Sequence, residues 1–108
     1  MGADRRGEVW LVDLGYAAKT RPALVVSVPA LETERALVLL VPHTTSLRGT
    51  RFEVASHERF LKAGAFDAQN LVTVSDAKLL RRLGNLSTND FDDVMTAVLN
   101  WLGLTEQP

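Results

Sequence analysis

The chain has 108 residues, 46% of them apolar, with a formal net charge of −1, which fits one domain, 1–108, with a real but small core. It has no cysteine, which excludes disulfides and thiolate metal sites, and no apolar run long enough to cross a bilayer. No apolar segment follows the opening Met1–Arg6, so no signal peptide is expected, the expected location is cytoplasmic, and residues 1–5 and 105–108 are expected to be flexible ends.

The near-neutral average argues against a strongly basic nucleic-acid coat protein, but the charge is unevenly spread. Residues 1–89 hold all 12 Lys and Arg against nine acids, whereas 90–108 hold Asp90, Asp92, Asp93 and Glu106. A mildly basic body with an acidic end leaves room for a local basic face.

In chain order, Val9–Leu14 reads as a strand by composition, and 15–20 as a loop. Leu24-Val25-Val26 is an unbroken apolar run within a second strand, Ala23 to Val28, covered on both faces. Pro22, lacking an N–H, belongs at the first position of that strand and pushes Arg21 toward extended geometry. Residues 29–35 form a turn region. Ala36–Val41 is a third apolar strand, ended by Pro42-His43-Thr44-Thr45-Ser46. After the loop Leu47–Thr50, Arg51–Val54 alternates like a short strand. Ser56–Phe66 is mixed, with one helical turn closed by Gly64. Asn70–Val74 and Leu79–Gly84 read as two further strands.

The last element is an amphipathic helix of about 14 residues. Ser87 is its N-cap and Asp90 stands three residues later. Phe91, Val94, Met95, Val98, Trp101 and Leu102 recur at helical spacing, and Gly103 stops the helix. The sum is a mainly β, mostly antiparallel protein with a C-terminal α-helix, and a half-open barrel protects its sheet edges best.

The common motifs for nucleotides, zinc proteases and serine hydrolases are absent. His43 and His57 are too few for an imidazole metal site, and Glu8 and Asp13, five apart on one strand, face opposite ways. The second and third strands offer a more specific geometry. If they form an antiparallel hairpin that turns between Glu32 and Thr33, Arg21 lies opposite Thr44. Arg21, His43, Thr44, Thr45 and Ser46 then share one sheet edge, a guanidinium beside several hydroxyls that suits a phosphate. Lys19, Arg48 and Arg51 lie in loops near that edge, and Tyr16 could stack on a base. The competing reading of Thr44, Thr45 and Ser46 is turn chemistry, and that of the loop cations is solvation.

Three blocks, Arg6–Leu14, Lys19–Ser27 and Val41–Ser46, together with Leu83-Gly84-Asn85-Leu86-Ser87 and the helix ending Leu102-Gly103-Leu104, resemble the MazF/PemK toxins of type II toxin–antitoxin systems in order and spacing. The resemblance covers residues 5–104. It implies an SH3-like half-open β-barrel, a homodimer, no cofactor, and a sequence-specific endoribonuclease that cuts single-stranded RNA without a metal. It further implies a cognate antitoxin; an acidic, apolar-poor antitoxin tail would fold into a basic RNA groove. The family's catalytic arginine falls on Arg21 and its threonine on Thr44. The chain departs from many members in the loop before Arg21, where Ala17 and Ala18 stand in a shorter segment.

Such a reaction uses the RNA's own 2′-OH as nucleophile and leaves a 2′,3′-cyclic phosphate and a 5′-OH. Arg21 suits the non-bridging oxygens and Thr44 adds a hydroxyl donor. His43 has the intrinsic pKa for proton transfer, but in a regular strand it points away from Thr44. Two other readings stay open: a gyrase poison of the CcdB type, which shares the barrel and acts through the end of its helix, near Trp101 here, and a non-catalytic SH3-like binding module.

Overall fold

The computed structural model describes residues 4–15 and 20–105. The described chain runs through strands β1 (Glu8–Asp13), β2 (Thr20–Val25), β3 (Leu37–Thr44), β4 (Glu53–Ala55), β5 (Ala65–Asp67), β6 (Val72–Ser75) and β7 (Leu79–Asn85), then helix α1 (Thr88–Trp101). Single 3-10 turns at Ala68–Asn70 and Asp76–Lys78 lead into β6 and β7. All pairings are antiparallel, in the order β4-β5-β3-β2-β1-β7 with β6 also on β3. Among the described residues the sheet does not close on itself, which is the expected half-open barrel.

β3 organises the sheet. One side pairs with β2. The other pairs with β6 through Leu37–Leu40 and with β5 through His43 and Thr44. Its apolar first half satisfies the demands of a strand paired on both sides. The strand continues through Pro42 to Thr44, although Pro42 was expected to end it. Val26 donates to the Leu39 carbonyl at 3.0 Å, and period-two alternation from that bond turns the Pro42 nitrogen away from β2. It faces the gap between the end of the β6 pairing and the start of the β5 pairing, where no donor is required.

The same alternation explains Pro22. It sits third in β2, opposite Leu11 of β1, rather than first. Its nitrogen faces β3 and has nothing to donate, so the β2–β3 ladder ends at Ala23 and Pro42. Beyond that point the two strands stay neighbours without being zipped together.

The expected hairpin register holds: Ala23 pairs with Pro42, Leu24 with Val41 and Val25 with Leu40. The helix also holds, with Ser87 Oγ accepting from Asp90 N at 3.2 Å. Gly103, at φ 73°, lets Leu104 N reach the Leu99 carbonyl at 2.9 Å, a closure that needs the left-handed region.

Three further expectations fail. Residues 56–64 form turns, not a helical turn, and β5 follows them unannounced. The short fourth strand begins at Glu53, with Arg51 and Phe52 in the preceding turn. The helical stripe buries Val94, Ala97 and Val98, while Trp101 and Leu102 emerge from the core. Two apolar clusters result. Val9, Leu24, Val41, Phe66, Val94 and Val98 pack on the face that α1 covers. Val12, Ala23, Val25, Val38 and Leu40 pack on the other face, flanked by Trp10, Leu14 and Val72.

Candidate functional site

A groove of about 740 Å³ opens where β2 and β3 stop pairing. Arg21, His43, Thr44, Ser46 and Arg48 line it, with Thr50, Glu53, Asp67, Gln69, Asn70 and Trp101. Arg21 is exposed and stands across from Val12 on β1, so its side chain leaves from the second face, beyond Ala23 and Val25. Extending the β2–β3 register by two residues sets it opposite Thr44, the last residue of β3. Residues directly opposite share a face.

Thr44 is pre-set by its own turn. Its Oγ1 accepts from the Ser46 N–H at 3.0 Å, which fixes the rotamer and leaves the hydroxyl proton free to donate. The Arg21 guanidinium makes no hydrogen bond or ion pair among the described residues. Four other cations of the body are engaged. Arg5 approaches Asp76 at 3.9 Å, Lys78 approaches Asp13 at 3.9 Å, and Arg82 meets Glu8 at 3.1 Å. Arg6 donates to the Val26 carbonyl at 2.9 Å. An uncommitted guanidinium in a groove is a ready fork for a phosphate.

The acids in the groove are turned onto backbone donors. Glu53 accepts from the N–H groups of Arg48 (3.0 Å), Gly49 (2.7 Å) and Thr50 (3.3 Å). Those bonds, the Arg48 N–H first, hold its carboxyl below the ordinary 4.5. Asp67 caps the turn after β5 by accepting from Gln69 N at 3.1 Å. The carboxylates thus shape the loops on either wall.

His43 is 4% exposed and lies edge-on to Phe66 at 5.2 Å, on the strand face opposite Thr44. Burial pushes its imidazole below the ordinary 6.5. Its Nε2 has no hydrogen-bond partner. Gly64 fits against this pair: a Cβ there would collide with the Thr44 carbonyl oxygen and come within 2.8 Å of His43 Cε1.

Of the other residues singled out from the sequence, Ser46 and Arg48 line the groove, whereas exposed Thr45 and Arg51 are not among its lining residues. The Arg51 guanidinium sits over the Phe52 ring at 4.5 Å. Tyr16 and Lys19 lie outside the described residues. Sequence reasoning missed Glu53, Asp67, Gln69, Asn70 and Trp101. Glu53 had a local signal, a carboxylate shortly after a glycine turn. Trp101 stood in plain view but was absorbed into the helical stripe.

Fold and site together define a small half-open barrel with an anion-seeking groove where two central strands part. The chain belongs to the PemK-like, MazF-like toxins of type II toxin–antitoxin systems, whose family model matches residues 5–102. It is 35% identical over 104 residues to the endoribonuclease MazF4 of Mycobacterium tuberculosis, spanning 96% of this chain and 97% of that protein. The same values hold for endoribonuclease MazF1 of Mycobacterium bovis. A mycobacterial endoribonuclease solved in complex with its cognate antitoxin is 31% identical, with a TM-score of 0.83 over 97% of this chain and 100% of that one. A MazE–MazF structure from Deinococcus radiodurans, at 21% identity and a TM-score of 0.77 over 97% and 100% of the two chains, shares the fold.

Proposed function

We infer that this chain is the toxin of a type II toxin–antitoxin pair and acts as an endoribonuclease. Beyond the family itself, the observation that carries the reading is an unengaged Arg21 delivered to the same face and groove as a pre-oriented Thr44. The family is the nuclease one rather than that of the gyrase poisons.

In the proposed reaction, the 2′-OH of single-stranded RNA attacks the adjacent phosphorus as it loses its proton. The bond from phosphorus to the 5′ oxygen breaks, and that oxygen takes up a proton. Arg21 holds the non-bridging oxygens in a two-pronged grip and Thr44 donates its hydroxyl to the same charge. An arginine side chain offers donors and no acceptor, so Arg21 does not serve as base. His43 is the one lining residue able to exchange a proton near neutrality, and burial keeps it in its accepting form. An unchanged single-turnover rate in His43→Phe leaves it a packing residue beneath Thr44. Arg48 and Ser46 line the path of the strand, and Thr45 and Arg51 flank it; Tyr16 and Lys19 stay RNA-contact candidates on sequence alone.

Cleavage is expected in EDTA, giving 2′,3′-cyclic phosphate and 5′-OH ends. A substrate with one 2′-deoxy nucleotide at the cut should be inert. Scission of that same bond would end the mechanism.

The proposed partners are a cognate antitoxin, whose acidic tail competes with RNA for the groove, and a second copy of the chain. A surplus of exposed large apolar side chains for so small a chain, Val28, Leu31, Leu47 and Leu80 among them, favours a homodimer. β7 pairs on one side with β1, at one end of the strand order. Light scattering at micromolar concentration should give twice the chain mass, and a monomer would remove the dimer from the reading.

A further inference from the structure

Trp101 is the last residue of α1 and remains 45% exposed. It is nevertheless held. Phe52, buried at 6% exposure, meets its ring edge-on at 5.3 Å and 64°, and Arg51 covers Phe52 in turn at 4.5 Å. The chain beyond is pinned by the left-handed Gly103 and the bond from Leu104 N to the Leu99 carbonyl. The indole is therefore positioned from the core, and it lines the groove that Arg21 and Thr44 also line. Among the described lining residues it is the one exposed aromatic, since His43 is buried.

We propose that Trp101 is a stacking platform for one nucleobase of the bound RNA strand, beside the phosphate that Arg21 holds. This rests on the nuclease reading above. Single-stranded nucleic acids are gripped by cations on the backbone and aromatic faces under the bases, and the two must be separated by about a nucleotide's reach within one groove. Here the cation is uncommitted and the aromatic is braced before the ligand arrives, so little side-chain freedom is lost on binding. The polar lining residues supply hydrogen bonds to the strand; Trp101 supplies the flat surface they lack.

The test uses the full chain with Trp10→Phe, which leaves Trp101 as the only tryptophan. Trp10 sits in β1, bonded to Glu8 at 2.9 Å, away from the groove lining. The probe is a short single-stranded RNA carrying 2′-fluoro in place of every 2′-OH, so that no bond can be cut. Binding should quench Trp101 fluorescence. Trp101→Ala should weaken binding of the probe about ten- to a hundred-fold, raising KM for cleavable RNA while kcat at saturation holds. Trp101→Phe, which keeps an aromatic surface against Phe52, should retain most of the affinity, and both variants are melted alongside wild type. An abasic site at the stacked position should erase the difference in affinity between the Trp101→Ala variant and the protein that keeps its indole. Arg21→Ala is the separating control. If wild type binds the probe and Arg21→Ala does not, yet fluorescence and affinity ignore Trp101, the stacking role is overturned alone. If wild type neither cleaves nor binds RNA, the nuclease reading falls with it.

Discussion

The β2–β3 ladder has two faces with opposite fates. Leu24, Val26 and Val41 point to the face that α1 covers, and all three are buried in its core. Ala23, Val25 and Leu40 alternate with them onto the other face, also buried, but that face continues past the last paired residues to Arg21 and Thr44. One ladder thus serves as core scaffold on one side and as a rail on the other, leading outward to a groove. Because side-chain alternation is strict, the apolar residues that fix the register also fix which way Arg21 points. Core and site are not separate achievements of the sequence. A one-residue slip would turn Arg21 to the face that α1 covers and Leu24 to the face that leads to the groove.

The sharpest way to separate the two faces is to compare substitutions one to three residues apart. Arg21→Lys keeps the charge but loses the planar fork, and should fail nearly as badly as Arg21→Ala, about 100- to 1,000-fold in single-turnover rate. Thr44→Ala should cost the same or less, a hydroxyl bond being weaker than a charge-assisted one. Neither should move the melting temperature appreciably, since Arg21 is exposed and Thr44 ends its strand. Leu24→Ala should do the reverse, costing about 2–5 kcal/mol of stability through the cavity it leaves. Near wild-type cleavage by Arg21→Lys would reduce Arg21 to a diffuse charge. A large melting shift in Arg21→Ala would make it structural.

A smaller effect is expected where the two faces meet. Gly64 lies against both His43 on the covered face and the Thr44 carbonyl on the open one. Gly64→Ala must displace both, and one of them is backbone, which cannot swing aside. The expected cost is about 1–3 kcal/mol, the range for overpacking, with a loss of cleavage rate because Thr44 moves. A Gly64→Ala protein with unaltered melting and cleavage would show that the strand end is looser than its packing implies.

The legible part of this fold was whatever rests on local pattern. The β2–β3 register followed from two apolar runs and a turn between them, and it brought Arg21 to Thr44 without any knowledge of the rest of the sheet. The helix was legible from its cap, its period and Gly103. What escaped depends on tertiary pairing. β5 is three residues long, too short for a period to declare itself, and exists because β3 and β4 offer it partners. Pro42 looked like an end because its missing donor matters only if a neighbour needs that bond, and which neighbour stands there is not a local fact. Glu53 and Trp101 were visible as residues but not as groove residues, because their walls come from chain segments some fifty residues apart in number. Periodicity also promised Trp101 to the core. In the fold, burial stops at Val98, and Trp101 and Leu102 lie exposed at the helix end.

The smallest expected effect concerns the buried imidazole, and it separates packing from chemistry at His43. Burial holds the folded His43 below the ordinary 6.5, so the folded chain takes up a proton less readily than the unfolded one. Where the unfolded state binds more protons, stability rises with pH. The contribution of neutral His43 is therefore complete above 6.5, declines as pH falls through 6.5 toward the lower folded value, and is gone below both. Glu53, with its folded pKa depressed from 4.5, acts in the same direction but only in a more acidic window. Melting curves between pH 7.5 and 5 should thus show a modest decline that His43→Phe flattens, with the phenyl ring filling the same slot against Phe66 and removing a buried nitrogen that has no partner. An identical decline in wild type and variant would assign the acid sensitivity elsewhere. If the decline flattens while the pH–rate profile of cleavage is unchanged, His43 belongs to the covered face alone, and the chemistry rests with Arg21 and Thr44 across the strand.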